Sequence, residues 1–302
     1  MKRHDARKIW HTSIGLFGCA LLMAFGLEGS TRAATRAMWV WNGSSIVASA
    51  SQEASLFNFM AAPYGKTADN VTKVYFAGGL VSQFGNSTWL SQMRSFIAAS
   101  HVKGVKVFFL CGDPSWATSQ YENDGLAYVS AFLAFNQASA AGSSFDGFQF
   151  DVEPYTLPGW PSSTLENGLL NLLWRARGLI TASGQAIPLS STIPFWLDQS
   201  QFAYLDQGVI DLTDEVAIMD YTSNPSLLTS YPQAEMTYAS AHNKPVWIGV
   251  ETNNEGSTIS FYGEGDNVME AALTEDLAAF EARPCFAGYA VNDYVGWSVL
   301  GE

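Results

Sequence analysis

Eight short apolar runs, each separated from the next by a longer stretch, limit the fold more than any other feature of this sequence. The runs are Met38–Trp41, Lys73–Ala77, Val105–Cys111, Phe145–Glu153, Ile187–Ile193, Glu215–Tyr221, Val246–Glu251 and Phe286–Asn292. Between them lie amphipathic segments such as Trp89–Ala99, Leu126–Ala138, Leu165–Thr181 and Val268–Phe280. Turn signals close several of these segments just before the next run: His101-Val102-Lys103-Gly104, Ser183-Gly184 and Asn243-Lys244-Pro245. Regular strand–helix alternation over about 250 residues predicts an α/β fold, a single parallel (β/α)8 TIM barrel. A doubly wound open sheet usually carries a Gly-rich phosphate turn after its first strand, and Trp41-Asn42-Gly43-Ser44 is not one. Only ten residues follow Asn292, too few for a full eighth helix. The last helix is therefore expected to be short or absent, with the seam between strands eight and one covered in another way.

The N-terminal segment reads differently. Lys2, Arg3, Arg7 and Lys8 make a basic start, an almost wholly apolar run extends from Ile14 to Leu27, and Thr31-Arg32-Ala33 offers a small-x-small cleavage site. This is the layout of a secretory signal peptide over residues 1–33, leaving a barrel domain over 37–302 and a secreted or periplasmic location. The alternative, an uncleaved membrane anchor, needs about 20 apolar residues, and this run is shorter. Leu16-Phe17-Gly18-Cys19 resembles a lipoprotein box, but the apolar run continues past Cys19 where such a box should close it.

Loss of residues 1–33 removes five basic side chains (Lys2, Arg3, Arg7, Lys8, Arg32) and two acidic ones (Asp5, Glu28), which takes the net charge from −13 to −16. That balance argues against nucleic acid, anionic lipid and acidic polysaccharide as partners. A monomer with no membrane contact after cleavage is expected. Cys111 and Cys285, the two cysteines beyond the leader, fall at opposite ends of a parallel barrel, so both are expected free and buried. With no Cys-x-x-Cys or Cys/His cluster, neither a structural zinc site nor another cofactor is expected.

The segment that carries chemistry is Phe145-Asp146-Gly147-Phe148-Gln149-Phe150-Asp151-Val152-Glu153-Pro154-Tyr155. Strand side chains alternate, so Phe148, Phe150 and Val152 share the face that packs on helices, while Gln149, Asp151 and Glu153 point into the barrel. Glu153 then lies nearest the C-terminal mouth, where active sites of this fold sit. Two carboxylates about 6.6 Å apart along a strand push their pKa values apart, and one stays protonated near neutral pH. Protonating a glycosidic oxygen needs such an acid. A structural ion pair is the plainer reading, but there is no Lys or Arg between Val107 and Trp174.

Asp146-Gly147-x-Gln149-x-Asp151-x-Glu153 resembles the Asp-Gly-x-Asp-x-Asp-x-Glu motif of the family-18, chitinase-like glycoside hydrolases, whose fold is a (β/α)8 barrel. In strand six, Met219-Asp220-Tyr221 is similar to that family's Met-x-Tyr. The resemblance implies that Glu153 is the general acid, that Asp151 orients the substrate's N-acetyl group, and that Tyr221 stabilises the resulting oxazolinium. The sequence departs from the family at Gln149 (Asp in the motif), at Val152 (usually Trp) and at Thr222, where an Asp often follows. Strand eight, Gly288-Tyr289-Ala290-Val291-Asn292, lacks the Trp that floors the family's sugar site.

A second carboxylate complicates the mechanism. By the same alternation Trp247, Gly249 and Glu251 of strand seven face inward, so Glu251 also reaches the mouth. Acid at strand four and nucleophile at strand seven is the arrangement of two-glutamate retaining glycosidases, in which the carboxyl groups lie about 5–5.5 Å apart. Glu251 as a substrate hydroxyl acceptor, or as a partner of Lys244 or Arg283, is the alternative. Around the mouth, Trp41, Trp116, Trp160, Trp196 and Trp297 each follow a strand exit, and a Trp-lined rim suits stacking on sugar C–H faces. Asn42, Asp113, Gln149, Asp220 and Asn292 are the expected polar contacts to a carbohydrate. His101 and His242 precede their strands at the opposite end, and no Ser sits in a Gly-x-Ser-x-Gly turn, which disfavours a Ser-His-Asp hydrolase.

The expected function is therefore a retaining glycoside hydrolase acting on a neutral polysaccharide or glycan. Two other classes stay open at this point. One is a chitinase-like barrel that binds sugar without cleaving it. The other is a divalent-cation hydrolase using Asp151, Glu153 and Asp220.

Overall fold

The computed structural model describes residues 34–302, so the expected leader and its Cys19 lie outside the described residues. The strands are β1 (Arg36–Val40), β2 (Val71–Phe76), β3 (Lys106–Cys111), β4 (Gly147–Phe150), β5 (Leu189–Pro194), β6 (Glu215–Met219), β7 (Val246–Glu251) and β8 (Phe286–Asn292). They hydrogen-bond in sequence order and close into a barrel, with β1 parallel to both β2 and β8. The helices are α1 (Gly43–Val47), α2 (Ala50–Ala61), α3 (Ser87–Val102), α4 (Glu122–Gln137), α5 (Ser163–Ser183), α6 (Ala203–Leu212), α7 (Pro225–Ser230), α8 (Gln233–His242), α9 (Asp266–Phe280) and α10 (Tyr294–Ser298). The eight expected strands are all present, in the expected order.

Period-two alternation builds two cores. The outward residues, among them Met38, Val40, Val74, Phe76, Phe148, Phe150, Ile218 and Val291, pack with the helices into one large apolar layer. The inward residues Ala37, Trp39, Tyr75, Phe108, Leu110, Ala217, Trp247 and Ala290 fill the barrel itself. At its N-terminal end the interior also holds a buried ion pair, Lys73 with Glu215. Glu215 accepts further bonds from Tyr75 Oη at 3.0 Å and Trp247 Nε1 at 3.4 Å. Burial pulls the Lys73 ammonium down to about 8, against the opposing pull of Glu215. Phe108 lies under the ammonium, 3.6 Å from ring centre to Nζ.

Local chemistry sets the element ends. Asn86 caps α3 by accepting from Thr88 N at 2.9 Å and Trp89 N at 3.2 Å. At the other end of α5, Gly184 takes a left-handed φ of 70°, a conformation costly for any residue with a Cβ. Strand four is shorter than its apolar pattern suggests. At its start the Asp146 carboxylate, not a strand neighbour, accepts Val107 N at 2.7 Å and takes a 2.9 Å contact from His101 Nε2. At its end the chain leaves the ladder after Phe150, with Asp151 N still bonded to Cys111 O at 2.9 Å.

The eighth helix is reduced to the five residues of α10, as the short tail required. Trp297 from this helix covers the seam. It is fully buried, meets Phe59 of α2 edge-on at 5.2 Å, and donates Nε1 to Asp266 at 2.6 Å. Trp297 is thus a core residue and not part of the rim. Cys111 and Cys285 are free and buried. Among the described residues no helix is long and apolar enough to cross a membrane.

Candidate active site

The inward face of β4 delivers Asp151 and Glu153 to the mouth, as alternation requires. The approach of neighbouring backbone fixes where they sit. Gly112, just past β3, lies so close that an added Cβ would stand 1.7 Å from the Asp151 carbonyl oxygen. Thr192, inward on β5, donates its hydroxyl to Asp151 Oδ1. Burial raises the Asp151 carboxyl well above the usual range, the adjacent Glu153 charge raises it further, and the Thr192 bond only partly opposes them. Asp151 thus keeps its proton toward neutral pH beside Glu153.

Glu153 lies on the wall of a cavity of about 460 Å³. Tyr155 follows it, Phe195 and Trp196 come from the β5 exit, Met219 and Tyr221 from β6, and Tyr231 from beyond α7. Phe195 and Tyr231 stack at 4.1 Å with their planes 9° apart, which stiffens that wall. Tyr155 meets Trp196 edge-on at 5.1 Å. Burial, and then the charges of Glu251, Asp151 and Glu153, hold the Tyr221 phenol protonated, so it faces the cavity as a hydrogen-bond donor. A larger groove of about 770 Å³ runs between α4 and α5 on the outside of the barrel, but no carboxylate lines it.

Glu251 is buried and its acceptors are occupied. Oε1 takes Thr252 N at 2.8 Å, Asn253 N at 2.7 Å and Asn253 Nδ2 at 2.8 Å. Oε2 takes Asn292 Nδ2 at 2.6 Å. Burial raises this carboxyl, and the four bonds oppose the rise. Asn292 Oδ1 in turn accepts Trp41 Nε1 at 3.1 Å, and Trp41 remains 42% exposed.

Several residues expected at the mouth are elsewhere. Trp116 is buried between Tyr128 and Phe150, because the turn that carries it folds under α4 and not over the barrel. Asp220 follows outward Ile218 and lies behind the sheet, fully buried, where Asp276 and Glu235 raise its carboxyl after burial itself. It therefore cannot join Asp151 and Glu153 around one cation. Gln149 sits below the site with its amide committed, accepting Trp39 Nε1 at 2.8 Å and donating to Ser190 Oγ at 3.0 Å. Asn42 turns outward into a separate concavity with Ile46 and Tyr294. Asp113 is exposed and caps the turn after β3, accepting Ser115 N at 2.8 Å. Trp160 is half-buried, stacked on Phe202 at 5.4 Å behind Trp196, which itself reaches the cavity.

Thr192 and Tyr155 were missed by the sequence reading; period two from Ser190 points to Thr192, whereas Tyr155 lies in the 3-10 turn Pro154–Thr156, where strand alternation no longer applies. Phe195 and Tyr231 carry no such signal, since loop and helix packing brings them together.

No protein-family profile matches the chain, and no curated protein matches it. Solved structures do. A GH18 chitinase from Pseudoalteromonas aurantia is 14% identical, with 88% of this chain and 97% of that one covered at a TM-score of 0.60. Concanavalin B is 14% identical over the same shares at a TM-score of 0.50. At such identities the likeness is one of architecture: this chain has the fold of the GH18 chitinases, as a divergent (β/α)8 barrel.

Proposed function

We propose that the protein is a retaining glycoside hydrolase acting, after export, on a neutral glycan that carries 2-acetamido sugars. The observation that carries this reading is the placement of Glu153 on an aromatic cavity at the barrel mouth, next to a buried Asp151 whose carboxyl is raised by burial and by the Glu153 charge. The chitinase among its structural neighbours supports the substrate class. The acidic balance of the chain, −13 overall, disfavours polyanionic alternatives. Export rests on the basic–apolar–small pattern of the first 33 residues.

In this reading the proton that Asp151 holds passes to Glu153, and Glu153 gives it to the glycosidic oxygen as the bond to the anomeric carbon breaks. The substrate's own acetamide oxygen attacks that carbon from the opposite face, forming an oxazolinium. Asp151, then ionised, accepts the acetamide N–H, and the Tyr221 hydroxyl donates to the acetamide oxygen. Water attacks the same carbon in the second step, losing its proton to Glu153, so the configuration is retained. Attack by the substrate fits a site in which Glu251 already spends both oxygens on protein donors.

The test is Glu153→Gln on N-acetylchitohexaose. Release of reducing ends should vanish while binding, followed by calorimetry, persists. Near-normal turnover in this variant would refute the assignment. Binding by the unmodified protein with no product at all would identify a sugar-binding barrel instead.

A further inference from the structure

We infer that Glu251 is a positioning residue, and that through Asn292 it fixes the Trp41 indole as a sugar-stacking platform on the β8–β1 side of the mouth. The inference rests on the glycan reading above but concerns residues that the acid pair does not use.

The chain of contacts has only one polarity. An indole N–H can only donate, and an ionised carboxylate can only accept. The Asn292 amide between them must therefore turn its oxygen to Trp41 and its nitrogen to Glu251, as it does at 3.1 Å and 2.6 Å. Glu251 is itself immobilised by the three donors on its other oxygen, all from Thr252 and Asn253. A backbone-anchored charge thus orients an amide, and the amide orients an aromatic ring.

The ring has no packing reason to be there. Trp39, one layer lower on the same inward face of β1, is 1% exposed and fills the barrel; Trp41 is 42% exposed. A large apolar ring held by a buried carboxylate and amide while facing solvent is what recognition of a sugar C–H face requires. Trp196 lies beyond Glu153, at the β5 exit. The mouth then carries two aromatic surfaces, one at the β1 exit and one at the β5 exit.

Glu251→Gln tests the relay because it changes polarity with almost no change in shape. The oxygen of the introduced amide keeps the three donors, and its NH2 then faces Asn292. The Asn292 amide must flip, which leaves its NH2 opposed to the indole N–H. The first readout is the indole 1H–15N resonance of Trp41, assigned among the ten tryptophans by its loss in Trp41→Phe. It should move in Glu251→Gln and in Asn292→Ala, with the other indole signals in place as proof of folding. An unmoved Trp41 signal overturns the relay, whether or not the protein cleaves glycans.

The second readout is N-acetylchitohexaose binding in a Glu153→Gln background, where turnover is blocked. Trp41→Ala should weaken it about tenfold, and adding Glu251→Gln to Trp41→Ala should change nothing more. Undiminished affinity in Trp41→Ala overturns the platform. Absence of any binding before Trp41 is changed rejects the glycan reading, and the platform with it. The third readout separates positioning from attack: with Glu153 intact, Glu251→Gln should raise KM with kcat within about threefold. A fall in kcat of about a hundredfold or more with KM unchanged would make Glu251 the nucleophile.

Discussion

Replacing Glu235 with Gln should stabilise this protein, and by an amount that depends on pH. Glu235 on α8 is fully buried and neither carboxyl oxygen has a hydrogen-bond partner. It lies near other acids, Asp206 of α6 and Asp220 behind β6, with Asp198 further out; Asp276 of α9 in turn adjoins Asp220. Burial, and then the Asp206 charge, push its carboxyl from 4.5 up to about 9. A carboxyl raised in the folded state contributes its full stability below its unfolded pKa and loses it as pH rises through the folded value. At pH 7 the fold must keep protonated a group that the unfolded chain ionises freely, at a cost of about 3 kcal/mol. Gln keeps the shape and carries no such cost. For a domain of this size that corresponds to a melting temperature about 5–10 °C higher at pH 7. At pH 4 the two proteins should melt together. Differential scanning fluorimetry from pH 4 to pH 9 measures both curves. The unmodified protein should lose stability steadily above pH 5, where the unfolded chain ionises all three carboxyls and the fold keeps them protonated; each loss levels off at the folded value, about 6 for Asp276, about 7 for Asp206 and about 9 for Glu235. A Glu235→Gln curve parallel to the original across the range, or one below it at pH 7, would refute the reasoning.

The site and the barrel interior yield further expectations. On the proposed mechanism Asp151→Asn removes the carboxylate that accepts the acetamide N–H, so the maximal rate should fall at least about tenfold. Steady-state rates on N-acetylchitohexaose between pH 4 and pH 9 check this. Gly112→Ala places a Cβ against the Asp151 carbonyl; activity should drop far more than the melting temperature, which paired kinetic and thermal measurements resolve. Lys73→Met strands the buried Glu215 carboxylate and should cost about 3–5 kcal/mol in chemical denaturation. Adding Glu215→Leu to it should restore most of that loss.

Much of this architecture is legible in the sequence because a barrel strand repeats every two residues. That period alone puts Asp151 and Glu153 inside and Phe148 and Phe150 outside, and it does the same for Glu251 against Val250. It would also have put Asp220 outside, since Ile218 is outward and Tyr221 inward. Nearness to Tyr221 in a family-like motif outweighed that geometry, and wrongly. The tryptophans failed for another reason. A Trp just past a strand exit can fold over the mouth, as Trp41 does, or back under a helix, as Trp116 does. The choice depends on partners such as Tyr128 that lie far away in sequence or on another element. The stacked wall of Phe195 and Tyr231 is equally invisible, being made by loops with no period.

The hydrogen-bonded layer under the acids has a consequence for timing. Trp39, Tyr75, Gln149 and Ser190 are all fully or almost fully buried, so Asp151 and Glu153 rest on a packed floor inside the barrel. On the proposed mechanism, protons and attacking water would then arrive by the same opening as the glycan. A sugar covering that opening would then close the site to solvent from the only side the packed floor leaves open. On that mechanism the order of events would be set by traffic through one door: the first product would leave before water could enter to complete the turnover.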